Sequence, residues 1–353
     1  MPPGRHAAAL MSESENANLR LLNLLECPRD HAELRSEGDR LVCAHGHLYP
    51  VVNGIPVFVL TEKEQTIGVA KASLQAAQSG SGGPLYVDTL GLSEAEKRGV
   101  ERDWVAAGKI DPAISHLVAA TSGLGYANVV GRLHSYPIPE IPIEDGGGEL
   151  LLDVGSNWGR WSVSAARKGW RVVALDPSLG ALLAAQRAFS GMDLDIAWVC
   201  GDARFLPFKA DLFRCAFSYS VIQHFSEADA GLAVAELGRV LRRGGFAKVQ
   251  MAHKGGLRST YSRTRRGYSD SGPFRVRYRS LASMRDLFET KIGRAGCTAE
   301  AFGGLGLLAE DRKYVSTTAK ALISVSTRLK QLCLFLPPLT RLADSVYVVA
   351  TKR

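Results

Sequence analysis

A short apolar run ending in closely spaced glycines, Leu151-Leu-Asp-Val-Gly-Ser-Asn-Trp-Gly159, is followed by a second β-rich run, Val172-Val-Ala-Leu-Asp-Pro177. Residues of this kind in this order read as strand, tight turn, helix, then a second strand ending in a carboxylate. That pattern confines the chain to an open α/β sheet built largely of parallel strands. In such sheets a turn of small residues lets backbone amides and a helix N-terminus approach a ligand, and an acid roughly 20 residues on grips ribose hydroxyls. Asp176 is that acid, and an adenosine-containing cofactor is the expected ligand.

Spacing narrows the cofactor. The glycines stand at 155 and 159 with Asn157 between them and Asp153 two residues ahead, giving D-x-G-x-N-x-G. A nicotinamide-dependent reductase would carry G-x-G-x-x-G, so that function is disfavoured. Further along come Ile196-Ala-Trp-Val-Cys-Gly-Asp202-Ala203-Arg-Phe-Leu-Pro-Phe208, then Cys215-Ala-Phe-Ser218-Tyr219-Ser-Val-Ile-Gln223-His224-Phe225, then Leu237-Gly-Arg-Val-Leu-Arg-Arg-Gly-Gly245. Together the four motifs resemble the class I S-adenosylmethionine-dependent methyltransferases from about residue 145 to the end. The departures are Asn157 for the usual middle glycine and Arg243 where proline is commoner.

The resemblance implies a doubly wound, mostly parallel, seven-stranded Rossmann-like sheet. It implies that Asp153, Gly155, Ser156, Asn157, Gly159, Asp176, Pro177, Asp202, Ala203 and Ser218 hold S-adenosylmethionine, with Asp202 at the adenine amino group. Tyr219, Gln223 and His224 fall at the tip of the fourth strand, where parallel sheets place reactive groups. His224 is the candidate base for a neutral hydroxyl acceptor, because an imidazole titrates near neutrality. Tyr219 is a candidate for orienting the acceptor, and Trp158 and Gln223 for lining its pocket. A packing role over the cofactor suits His224 equally. The glycines at 244 and 245 suit a helix C-cap.

Absences bear on the acceptor. No Asn/Asp-Pro-Pro-Tyr motif follows the fourth strand, and Cys215 lies inside a predicted strand without a Pro-Cys nucleophile. By resemblance the first disfavours amino methylation of adenine or glutamine, and the second argues against covalent cytosine C5 chemistry. Of a net charge of +8, a large share lies between Lys248 and Arg279, interleaved with Tyr261, Tyr268, Phe274 and Tyr278. Guanidinium groups pair bidentately with phosphate, so Arg258, Arg265, Arg266 and Arg277 are candidate contacts to an anionic acceptor. The leading expectation is O-methylation of a small or lipid-linked anionic molecule, saccharide or natural-product-like; the alternative is RNA methylation.

Ahead of residue 146 three regions are expected: a disordered N-terminus over 1–20, with Met11 a candidate start, a β-rich ribbon over 21–60, and a linker with a helical lid over 61–145. Within the ribbon, alternating apolar residues flank an Asn53-Gly54 hairpin signal. Cys27, Asp30, Cys43 and His47 make it similar to the zinc-ribbon proteins and domains that accompany methyltransferases, including those fused to rRNA guanine methyltransferases. Asp30 replaces a thiolate, leaving both a Cys-Asp-Cys-His zinc site and a degenerate, metal-free ribbon open. Six cysteines without regular pairing, and an N-terminus without a secretory signal, point to a reducing, cytoplasmic compartment. Residues 319–338 combine apolar residues with Lys320, Arg328 and Lys330. This stretch reads as a helix covering the sheet, or as a peripheral membrane contact.

Overall fold

The computed structural model describes residues 20–106, 110–121, 130, 133–265, 275–303 and 308–353. The expected disordered N-terminus lies outside the described residues except for its last position. Arg266, Tyr268 and Phe274 also fall outside.

Seven strands form the expected methyltransferase sheet: β5 (Leu150–Val154), β6 (Arg171–Asp176), β7 (Ile196–Gly201), β8 (Phe213–Tyr219), β9 (Leu241–Ala252), β10 (Ala295–Ala301) and β11 (Ser345–Thr351). β5 to β9 pair in parallel, whereas β11 runs antiparallel to both of its neighbours, β9 and the edge strand β10. Their interiors are almost wholly buried, as strands covered on both faces require. β5 sits between β6 and β8, so the chain reverses direction across the sheet at the end of β5, which is where open α/β sheets bind ligands.

The sheet does not stop at seven strands. Among the described residues it has 11, in the order β1-β2-β3-β4-β7-β6-β5-β8-β9-β11-β10. The extra four are β1 (Leu34–Glu37), β2 (Arg40–Cys43), β3 (Leu48–Val52) and β4 (Ile55–Phe58). Asn53 and Gly54 both take positive φ, 48° and 81°, and turn β3 into β4 as the hairpin signal predicts. β4 then pairs in parallel with β7, Val57 opposite Cys200 and Phe58 opposite Gly201. Every residue of β4 is buried, because Ile-Pro-Val-Phe has apolar side chains for both faces of a covered sheet. The small β-rich unit therefore caps an edge that would otherwise expose unpaired backbone groups.

Packing and ion pairs weld the two parts. Leu25, Cys27, Tyr49 and Phe58 share one buried cluster with Phe208, Phe213 and Leu237. Arg239 donates to Glu26 Oε1 at 2.7 Å, to the Phe208 carbonyl at 2.7 Å and to the Leu206 carbonyl at 2.9 Å. Arg29 forks onto both oxygens of Glu62 at 2.7 and 2.9 Å.

Helices α1 (Gly68–Ser79), α2 (Glu94–Val105) and α3 (Pro112–Thr121) precede the first sheet strand of the methyltransferase part. The Gly/Ser stretch after Ser79 begins as the α1 C-cap, Gly80 adopting φ of 65°. α2 opens on a capping box between Ser93 and Glu96. The remaining helices are α4 (Arg160–Arg167), α5 (Leu179–Phe189), α6 (Glu227–Val240), α7 (Leu257–Arg265), α8 (Leu281–Lys291) and α9 (Thr317–Phe335). One expectation is corrected here. α6 ends at Val240 on an extended Leu241, and the chain enters β9 directly. Gly244, at φ of 72°, and Gly245 lie within β9, opposite a register shift between Phe213 and Cys215, and so serve a strand irregularity instead of a helix cap.

Candidate functional site

At the end of β5 the backbone turns through Gly155, φ 77°, and Asn157, φ 49°, into Gly159, φ 80°, which caps α4. A Cβ on Gly155 would stand 2.1 Å from Val221 Cγ2, and one on Gly159 would stand 2.6 Å from Trp198. Only glycine serves at these two points. Asparagine is the non-glycine residue best suited to a left-handed conformation, which explains its presence at 157. Its side-chain oxygen accepts the Trp158 amide at 2.9 Å.

The two acids of the motif are buried beside this turn. Asp176 accepts the Asn157 amide on one oxygen and the Ser178 amide on the other, both at 2.9 Å, so its carboxylate faces the turn already oriented. Asp153 accepts Ser162 Oγ at 2.6 Å on Oδ2, but its Oδ1 and the neighbouring Ser156 Oγ are buried without partners. Burial pushes Asp153 up to about 7 and Asp176 up to about 6. Buried acceptors without donors signal a missing donor-bearing group. S-Adenosylmethionine, with an ammonium group and ribose hydroxyls, has the donors this site lacks, so the residues fit it.

Other expected cofactor contacts are already committed within the fold. Ser218 Oγ donates to the Val154 carbonyl at 2.9 Å, tying β8 to β5. The Pro177 carbonyl accepts Ser73 Oγ of α1 at 2.7 Å, and Ala203 is buried. Asp202 carries Arg204, whose guanidinium contacts both carboxylate oxygens at 2.7–3.2 Å. The same guanidinium reaches Asp229 at 2.8 Å and the Glu64 carbonyl at 2.7 Å.

No local sequence pattern marks what α1 and its neighbours contribute. Ser73 Oγ accepts the Leu179 amide at 3.0 Å, and Thr89 Oγ1 accepts the Gly180 amide at 2.7 Å, so both cap α5 immediately after Asp176. A hydroxyl some 100 residues away in the chain carries no local signature of a cap.

Around the tip of β8 the structure redistributes the acceptor candidates. Trp158 is 1% exposed and packs near Tyr136 among core residues, so it does not present a free face to an acceptor. Gln223 is used at both ends, donating to Ser220 Oγ and accepting the Ala252 amide at 2.8 Å. His224 Nδ1 lies 3.3 Å from the Arg275 carbonyl, and burial lowers its pKa, keeping the ring neutral near pH 7. Arg277 donates to the His224 carbonyl, whereas Arg258 donates to the Gly303 carbonyl at 3.2 Å, so the two serve different loops. The Arg265 side chain lies outside the described residues.

Tyr219 is instead part of a buried polar row that the sequence did not disclose. Strand register sets Tyr219 opposite Gln250 and Gln250 opposite Tyr347, which puts the three on one face of the sheet. Trp161 stacks on Tyr219 at 4.7 Å between centroids, and Arg160 lies over Trp161 at 5.6 Å. Gln250 Oε1, Tyr347 Oη, Arg160 Nε and Arg160 Nη2 have no hydrogen-bond partner, although Nη2 stands 3.6 Å from the buried Asp311 carboxylate. Alternation along three neighbouring strands, β8, β9 and β11, has to be brought into register before this row becomes visible.

In the N-terminal unit the ligand atoms of Cys27, Asp30, Cys43 and His47 all lie within 4.8 Å of one another. His45 also reaches Asp30 at 2.8 Å, and Cys27 Sγ stands 3.1 Å from Tyr49 Oη. Burial pushes the Cys27 thiol up to about 11. Two sulfurs, a carboxylate and an imidazole at this spacing fit a four-coordinate zinc ion.

A family described as "Methyltransferase domain" matches residues 151–245. Over 108 residues the chain is 38% identical to the biotin biosynthesis bifunctional protein BioHC of Cellvibrio japonicus, covering 30% of this chain and 20% of that protein. Over 99 residues it is 36% identical to demethylmenaquinone methyltransferase of Thermobifida fusca, covering 28% of this chain and 41% of the relative. The chain thus spans well under half the length of either. It is also 39% identical over 46 residues to a UPF0434 protein of Vesicomyosocius okutanii, covering 13% of this chain and 78% of that small protein. Glycine turn, strand order and these matches together show that the chain carries a class I S-adenosylmethionine-dependent methyltransferase domain, with a UPF0434-family segment and a zinc-ribbon-like N-terminal unit.

Proposed function

We propose that the chain transfers a methyl group from S-adenosylmethionine to an oxygen of a small or lipid-linked anionic acceptor. The observation that carries this reading is the buried Arg160 guanidinium, one residue beyond the glycine turn and beside the Tyr219, Gln250 and Tyr347 row: its Nε has no hydrogen-bond partner, and its Nη2 meets the Asp311 carboxylate only at 3.6 Å. A buried guanidinium with hydrogen-bonding donors left unused suits a carboxylate or phosphate.

The bound cofactor would supply an electrophilic methyl group on a sulfonium. The protein's share is then to align the acceptor oxygen, exclude water and take a proton. Asp176 and the glycine turn would hold the ribose side, and Asp153 Oδ1 with Ser156 Oγ the ammonium side. Tyr219 and Tyr347 would present hydroxyls to the acceptor. His224, held neutral by burial, is the base for a hydroxyl acceptor.

The test is incubation with methyl-labelled S-adenosylmethionine and cell extract fractionated into polar metabolites, lipids and RNA. Label in an anionic metabolite or lipid, with Arg160→Met raising KM for that acceptor about tenfold or more, supports the reading. Label confined to RNA overturns it in favour of the alternative acceptor class.

A further inference from the structure

Helix α9, inserted between β10 and β11, contributes little to the core: only Ile323 and Cys333 along its length are buried. Its outer side carries Leu322, Val325, Leu332 and Leu336, respectively 48%, 54%, 42% and 51% exposed. With the partly buried Leu329 these form a continuous helical stripe at alternating spacings of three and four residues. The helix then ends on Leu334 and Phe335, 77% and 81% exposed, ahead of Pro337 and Pro338. An apolar stripe and tip of this extent on a water-facing surface call for an occupant.

Charge identifies it. From residue 311 to the end the acids are Asp311 and Asp344, 0% and 4% exposed, so neither faces outward. The same stretch carries Arg312, Lys313, Lys320, Arg328, Lys330, Arg341, Lys352 and Arg353. Lys330 is paired with Glu300 at 2.6 Å, whereas Arg328 and Arg341 stand exposed beside the stripe and tip. A second copy seated on this face would bring cationic rims together, which like charges oppose. An anionic surface meets both the apolar stripe and the cations. Among the described residues no helix is long and apolar enough to cross a membrane, so the contact lies in the interface plane.

We infer that α9 and its Leu334–Phe335 tip dock the protein onto an anionic lipid surface. The apolar stripe enters the headgroup boundary while Arg328 and Arg341 meet lipid phosphates. Docking is separate from methyl transfer and is read without measuring activity.

Flotation of the full chain with vesicles tests it, using phosphatidylcholine alone against phosphatidylcholine with about one-third phosphatidylglycerol. The expected result is a partition at least about tenfold higher onto the anionic vesicles, falling as salt rises. Leu332→Glu with Phe335→Glu should abolish flotation, and Arg328→Glu alone should lower it several-fold. Because these positions are exposed, the variants should keep the wild-type circular dichroism melt. Absence of flotation, or equal partition onto both vesicle types, overturns the inference. So does a wild-type dimer in sedimentation that the Leu332→Glu, Phe335→Glu variant dissociates. Should the double variant fail to fold, the lipid-composition and salt series on wild type decide alone.

Discussion

Replacing Asp153 with asparagine should stabilise the empty protein at alkaline pH, destabilise it at acid pH and weaken cofactor binding. The carboxyl is 1% exposed and titrates near 7 in the fold, against 3.8 for an ordinary aspartate. Its folded-state pKa is raised, so keeping it ionised penalises the folded chain. The penalty is absent below about pH 4, grows up to about pH 7 and is constant above. At about 1.4 kcal/mol per pH unit the full penalty is on the order of 4 kcal/mol. An asparagine keeps the Ser162 bond through its carbonyl oxygen but places an amide where Oδ1 is unpartnered, which costs about 1–3 kcal/mol. The net expectation is a gain of roughly 1–3 kcal/mol at about pH 8 and a loss of similar size at about pH 4. Urea unfolding at both pH values reads the stabilities, and calorimetry with S-adenosylhomocysteine reads the affinity. A midpoint difference between variant and wild type that does not change with pH, or an unaltered affinity, refutes the reasoning.

Three further outcomes follow from the geometry. Gly155→Ala places its Cβ 2.1 Å from Val221 and holds a left-handed φ that costs alanine about 1–2 kcal/mol, so thermal unfolding should drop by several degrees and cofactor binding should fall sharply. Arg239→Met leaves Glu26 and the Leu206 and Phe208 carbonyls short of a donor, and equilibrium unfolding should show a loss of about 2–4 kcal/mol with no change in cofactor affinity. Metal analysis of protein purified without chelator should find one zinc per chain, and Cys43→Ala should remove it; a metal-free wild type refolded with zinc would instead mark the cluster as degenerate.

The parts legible in the sequence are those where one local pattern suffices. The D-x-G-x-N-x-G turn, Asp176 at the end of the next strand and the Asn53-Gly54 hairpin each announce a backbone requirement that few residues meet. The junction of β4 with β7 was not legible, because Ile55–Phe58 reads the same whether it closes a separate ribbon or extends the large sheet. Nor was the fate of Asp202: its neighbour Arg204 takes the carboxylate only because Asp229 and the Glu64 carbonyl arrive from elsewhere. The Tyr219, Gln250 and Tyr347 row depends on the registers of β8, β9 and β11, which no single segment encodes. Gly244 and Gly245 read as a cap in the sequence because a strand irregularity and a helix end ask the same freedom of glycine.

The central claim is that the turn between β5 and α4 is an S-adenosylmethionine pocket closed by Asp176. Isothermal titration of wild type and Asp176→Ala with S-adenosylhomocysteine, each also titrated with reduced nicotinamide dinucleotide, tests it most directly. One S-adenosylhomocysteine per wild-type chain, no nicotinamide binding, and at least about a tenfold weaker affinity in the variant are predicted, as expected when a buried carboxylate loses its hydrogen bonds to ribose. Wild-type affinity in Asp176→Ala, or nicotinamide binding in place of S-adenosylhomocysteine, would contradict it.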